Sequence, residues 1–187
     1  MRNKTNRLLL IVLMAGIISA MAEPQPAAAS YQEVKETLLI TRYLDDNYDG
    51  IKFIYRYANE MKKQALPFNN KKHRDRYRFQ PNDSLARQIM TKSREISSRF
   101  KIVNGILYHS SVANKNTIYK ECVDSLNSVA VYSKRAIRAV KDNNYALYLA
   151  SAEGIEKEAM TLNYLLDELE ESINDCILQE DSRKESL

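Results

Sequence analysis

Few side chains able to do chemistry are grouped in this chain. Two histidines, His73 and His109, stand far apart, and neither has a second ligand at helical spacing. Zinc needs three or four converging N, S or O donors, so the sequence implies no metal and no cofactor. Glu153, Glu156, Glu158, Asp167, Glu168, Glu170 and Glu171 could supply paired carboxylates. Their spacing is that of the solvated face of an amphipathic helix. No glycine-rich phosphate loop occurs, and no serine or cysteine sits in a nucleophile motif. The expectation is a protein that is not an enzyme.

The densest charge lies between Pro67 and Pro81. Lys71, Lys72, Arg74, Arg76 and Arg78 are interleaved with His73 and Tyr77, and only Asp75 opposes them. Such a run is either a solvated basic loop or a patch that recruits an acidic polymer or an acidic protein face. The N-terminus chooses among those partners. Arg2, Lys4 and Arg7 precede an apolar run from Leu8 to Ile18, and Ala20-Met21-Ala22 offers a cleavage site before Glu23. Residues 1–22 therefore read as a secretory signal peptide. The run is too short to span a bilayer comfortably and no second one follows, so no membrane association is expected after cleavage. Cleavage would take the formal net charge from +4 to +1. The basic balance thus belongs mostly to the leader, and nucleic acid is not an expected partner. An acidic polysaccharide or a secreted protein is.

The remaining chain reads as helix. It has four Gly, four Pro and no Trp, against twelve Tyr. Residues 23–30 form a Pro/Ala linker. A first helix is expected over Tyr31–Leu44, a turn over Asp45–Gly50, and a second helix over Ile51–Lys63. Together they would make a small N-terminal hairpin (31–66), followed by the basic loop (67–81). Asn82-Asp83-Ser84 fits both a helix N-cap and an N-glycosylation acceptor at Asn82. The apolar spacing of Leu85, Ile89, Ile96, Phe100, Val103 and Leu107 predicts the next helix. Cys122, Leu126, Val129, Ser133, Ala136 and Val140 alternate steps of four and three, which predicts another. That helix should stop at Asp142-Asn143-Asn144. Tyr145, Leu149, Ala152, Ile155, Ala159, Leu162, Leu166, Leu169 and Ile173 then continue as a last helix. So short a turn makes the two antiparallel. The expected fold is all-α, an up-down four-helix bundle (82–178) with the small N-terminal hairpin (31–66) docked on it, and a charged tail over 179–187.

The cysteines are too far apart to pair in straight helices. Across a hairpin turning near Asn143, Cys122 lies opposite residues around 162–165, leaving Cys176 roughly 15–20 Å further along at about 1.5 Å per residue. A disulfide needs Cα atoms within about 7 Å. Pairing would require the last helix to break near 159–161. Otherwise both are buried thiols, or one makes an intermolecular bond.

Cys122-Val123, Ala136-Ile137, Lys141, Tyr145-Ala146 and Ser151-Ala152 fall in the order and spacing of the second half of a known family. The chain resembles the plant invertase and pectin methylesterase inhibitors, which are secreted helical bundles with an N-terminal hairpin. Ile106-Leu107, Val112 and Asn47-Tyr48-Asp49 extend the resemblance upstream, so that it covers Tyr31 to about Leu162. The family's two disulfides are not kept. Positions near Leu38 or Leu39 and Ile51 are aliphatic, and the expected partner of Cys122 is Leu162.

The resemblance implies an inhibitor that binds a secreted carbohydrate-active enzyme in the apoplast or cell wall, or in the vacuole. Invertase inhibitors present a Pro-Lys-Phe triplet at the turn matching Asn143, Asn144 and Tyr145, of which only the aromatic third is kept. Pectin methylesterase inhibitors instead use polar residues of two bundle helices, for which Lys92, Glu95 and Arg99 are the candidates here. The expected partner is therefore pectin methylesterase ahead of acid invertase. The alternative is a non-inhibitory helical interaction module that binds acidic polysaccharide through Lys71–Arg78.

Overall fold

The computed structural model describes residues 27–110 and 112–184. The leader expected over 1–22, residues 23–26 of the linker and the last three residues of the tail lie outside them. Among the described residues every regular element is helical and no strand occurs. The chain divides into two units, one ending at Asp45 and one beginning at Asp46. The first holds the opening half of helix α1 (Ala27–Ala65). Leu38, an aliphatic side chain, is 51% exposed there.

The second unit contains the bundle. After α1 come a 3-10 turn over Leu66–Asn69, a six-residue helix α2 (Lys71–Arg76), α3 (Ser84–Ile106), a 3-10 turn over Leu107–His109, α4 (Lys115–Lys141) and α5 (Tyr145–Lys184). The last three long helices match the apolar periodicity to within a few residues. Their inner stripes are Ile89, Ile96, Phe100 and Val103 on α3, Ile118, Cys122, Leu126 and Val129 on α4, and Ile155, Leu162, Leu166 and Leu169 on α5, all buried. Helix α4 packs against both α3 and α5. Small residues on its inner face, Ser125, Ser133, Ala136 and Ala139, allow close approach.

The C-terminal half of α1 closes the ring. It runs antiparallel to α5, with Lys62 bonded to Glu156 and the Tyr48 hydroxyl donating to Asp167 (2.5 Å) and Glu170 (2.9 Å). It runs antiparallel to α3 as well, with the Arg99 guanidinium 3.7 Å from the Asp46 carboxylate and donating to its carbonyl. The result is the up-down four-helix bundle that the sequence predicts.

One expectation fails. Asp45–Gly50 is not a turn, and no N-terminal hairpin forms, because α1 is a single uninterrupted helix. Turn-forming residue types are held helical by what they touch. Asp46 meets Arg99, Tyr48 meets α5, and Asn47 is fully buried. Gly50 lies so close to Ile96 that a Cβ there would stand 2.9 Å from its side chain. Glycine here serves close helix packing, not a reversal. The linker and tail are also shorter than expected, since α1 already starts at Ala27 and α5 continues to Lys184. With α5 unbroken, Cys122 and Cys176 are not linked to each other.

Candidate functional site

Two stretches that are remote in sequence meet at one end of the bundle. The first is the basic segment after α1. Pro67 lacks the N–H that a continuing helix needs, so the chain tightens into the 3-10 turn. Asn70 then restarts it, its side-chain oxygen accepting from the Lys72 backbone N–H at 2.9 Å, a standard N-cap bond. Helix α2 ends at Tyr77, whose extended backbone (φ −129°, ψ 138°) carries the chain on to Phe79. The expected loop over 67–81 is thus partly helical.

The second stretch is the turn from α4 to α5. Asn143 adopts the left-handed conformation (φ 52°). Its N–H donates to the Val140 carbonyl at 3.2 Å, and that of Asn144 donates to Ala139 at 2.8 Å. These are the two bonds of a Schellman C-cap. Asn144 at once begins α5, its side-chain oxygen accepting from the Leu147 N–H at 3.0 Å. The backbones of Asn143 and Asn144, and the Asn144 side chain, therefore serve to reverse the chain within three residues. Tyr145 is left to face the basic segment.

Arg74 joins the two stretches. Its Nη1 donates to the Tyr145 hydroxyl at 2.7 Å and to the Phe68 carbonyl at 2.9 Å. The same guanidinium stands 5.3 Å from the centroid of the Tyr145 ring, within cation–π range. Beneath it, Phe68 packs edge-on to Phe79 (5.0 Å between centroids), and Phe79 to Tyr148 (5.5 Å). Phe79 and Tyr148 are buried. His73 lies between Phe68 (4.8 Å) and Tyr77 (4.6 Å). Burial, with the nearby Asp83 charge, raises the Tyr148 hydroxyl well above its ordinary value. That hydroxyl stays a neutral donor, within reach of Gln64 (3.3 Å) and the Asn82 carbonyl (3.5 Å).

An open pocket of about 390 Å³ lies over this aromatic floor. Arg74, Asp75, Arg76, Tyr77 and Arg78 form one side, Asn143 and Tyr145 the other, and Phe68 and Phe79 the base. Arg76 and Arg78 are exposed, as are Lys71 and Lys72 just outside the rim, and none of the four side chains pairs with a described residue. The arrangement can hold an anion against aromatic faces. It offers no nucleophile with a base beside it.

The other sequence-derived candidates are elsewhere. Lys92 pairs with Glu95 on its own helix and lies 5.6 Å from the Phe53 ring, and Arg99 is engaged by Asp46. Lys92 and Arg99 thus reach α1, while Glu95 is exposed with Lys92 as its partner. Asp46 precedes Ala65 by a helical rise of roughly 28 Å, so Arg99 is remote from the pocket. Asn82 is exposed, and its side-chain oxygen accepts from the Ser84 N–H at 2.8 Å. Cys122 is fully buried in α4, and burial pushes its thiol up to about 12, with smaller contributions from Glu121 and Glu168. No three His, Cys, Asp or Glu among the described residues could hold a metal ion, and no described helix is long and apolar enough to cross a membrane.

Sequence reasoning named the cations, Tyr77, Asn143 and Tyr145, but kept them in two separate sites. It missed the roles of Phe68 and Phe79 beneath them. The available signal was a pair of aromatics bracketing a basic run, whose burial cannot be read without knowing which helix end lies above them. No protein-family model matches this chain, and neither a curated protein nor a solved structure does.

Proposed function

We propose that this protein is a non-catalytic helical binding module that captures an acidic partner through the basic, aromatic end of its bundle, with secreted acidic polysaccharide as the favoured partner. The observation that supports this reading is the bond from Arg74 to Tyr145. It ties the basic segment to the α4–α5 turn and so presents four unpaired cations on a fixed support. Held in one place, clustered cations attract a polyanion more strongly than the same charges on a wandering loop, because less ordering entropy is lost on binding. The secretory leader expected from the sequence favours a polysaccharide over nucleic acid.

The test is binding of the purified protein to immobilised polygalacturonate over a range of salt. Affinity should fall as salt rises, because exposed charges are screened within a Debye length of about 10 Å at 0.1 M. Replacing Lys71, Lys72, Arg76 and Arg78 by Gln should remove both the binding and its salt dependence while leaving helicity intact. Unchanged binding by that variant would overturn the proposal.

The same end supports the enzyme-binding reading that the resemblance implies, because Tyr145 occupies the one position of the invertase-binding triplet whose aromatic character is kept. An acidic face on pectin methylesterase or invertase would meet the same cations. Titrating each enzyme with the protein separates the cases. Dose-dependent loss of activity would make an enzyme the partner, and no loss would leave the polysaccharide.

A further inference from the structure

The pocket holds more than charge, and its neutral groups say what kind of anion fits. A purely electrostatic patch needs only cations facing solvent. Here Arg76 and Arg78 share the rim with Tyr77, which is 59% exposed, with the Asp75 carboxylate and with the Asn143 amide. Neither Asp75 nor the Asn143 side chain pairs with a described residue. A carboxylate on the rim repels a ligand that is anionic everywhere. It accepts hydrogen bonds from one that carries hydroxyls between its charges, and the Asn143 amide can both donate to and accept from such hydroxyls. Planar guanidinium groups match carboxylates in paired hydrogen bonds. Exposed aromatic faces give flat apolar contact to a ring with C–H bonds on one side.

We infer that this pocket is a subsite for a carboxylated sugar ring of an acidic polysaccharide, with Arg76 and Arg78 taking the carboxylates, Asp75 and Asn143 the hydroxyls, and Tyr77 the ring face. The inference rests on the anionic-partner reading and narrows it. A polypeptide anion such as polyglutamate has the charges without the ring or the hydroxyls. A sulfated glycan has ring and hydroxyls, but its charges are not carboxylates.

The experiment compares trigalacturonate, polyglutamate of matched charge, dextran sulfate and a short oligothymidylate, each titrated calorimetrically into the full chain. Trigalacturonate should bind at least about tenfold more tightly than polyglutamate at equal salt, a difference of about 1.4 kcal/mol. Tyr77→Ala should erase most of that preference and leave polyglutamate binding where it was. Arg78→Gln, at another exposed position, should weaken both. Circular dichroism of each variant confirms that it is folded. Equal binding of trigalacturonate and polyglutamate, with no effect of Tyr77→Ala, would overturn the sugar subsite while the acidic-partner reading stands. Tighter binding of oligothymidylate or dextran sulfate would also overturn it. Failure of every anion to bind would remove both readings together.

Discussion

Asn47 is the residue whose position is hardest to justify by stability. It lies in the α1 stripe with Ile51, Ile54 and Ala58, is wholly buried, and both its amide oxygen and nitrogen lack hydrogen-bond partners. A buried polar group without a partner costs about 1–3 kcal/mol. Asn47→Leu, close in size and at a position already closed to solvent, should recover much of that. For a chain of this length each kcal/mol is worth about 2–4 °C, so a melting temperature several degrees higher is expected. An unchanged or lower value by calorimetry would mean that Asn47 does find a partner in solution. By contrast, the neighbouring Tyr48 is buried with its hydroxyl donating to carboxylates. Two adjacent polar residues thus have opposite energetic status, and their identities alone do not say which is which.

Among the elements, the α4–α5 turn carries most of the site's geometry. Its Schellman bonds need a left-handed residue at position 143, which Asn adopts more readily than most. Asn143→Gly should leave stability about equal or improve it slightly. Asn143→Val, which adds β-branching to that backbone, should cost about 1–2 kcal/mol. It should also weaken anion binding, because Tyr145 and hence Arg74 are positioned by the turn. Chemical denaturation and binding to polygalacturonate would be measured on the same preparations. Loss of stability with full binding would separate the turn from the site. This turn was legible in the sequence because Asp142-Asn143-Asn144 interrupts two periodic runs and its chemistry is local. The Asp45–Gly50 stretch shows the same residue types and is helix. There the deciding contacts, to Ile96, Arg99 and α5, come from positions about 45 to 125 residues away, and no local pattern encodes them.

At the scale of the whole molecule, three protonated groups among the described residues, spread over α1, α4 and α5, contribute to the response to alkali. Burial raises Cys122 from 9.0 to about 12, and raises Tyr48 and Tyr148 above their ordinary 10.0. At Tyr48 burial acts first, followed by the hydrogen bond to Asp167 and the charge of Glu170. In each case the folded chain favours the neutral form and the unfolded chain gives up its proton earlier. Their contribution is therefore complete below pH 9, and is lost as pH rises through 9 and 10 toward the higher folded values. Stability measured by urea titration should be flat with respect to these groups up to about pH 9 and then fall. Cys122→Ala should remove the earliest part of that fall. A curve unaltered by this variant would show that the thiol does not titrate with unfolding.

The sequence by itself determined the all-α class, the existence of the three long helices that follow the basic segment, the antiparallel hairpin of the last two, and the impossibility of joining Cys122 to Cys176 across straight helices. Each of these follows from periodicity and rise along the chain, which are local. Only the tertiary structure decided that α1 is one helix, that Arg99 is engaged by Asp46, and that Arg74 meets Tyr145. The physical reason is the same in all three. A side chain's role depended on a neighbour about 70 residues away for Arg74, about 50 for Arg99 and about 120 for Tyr48, whose position the bundle's closure sets.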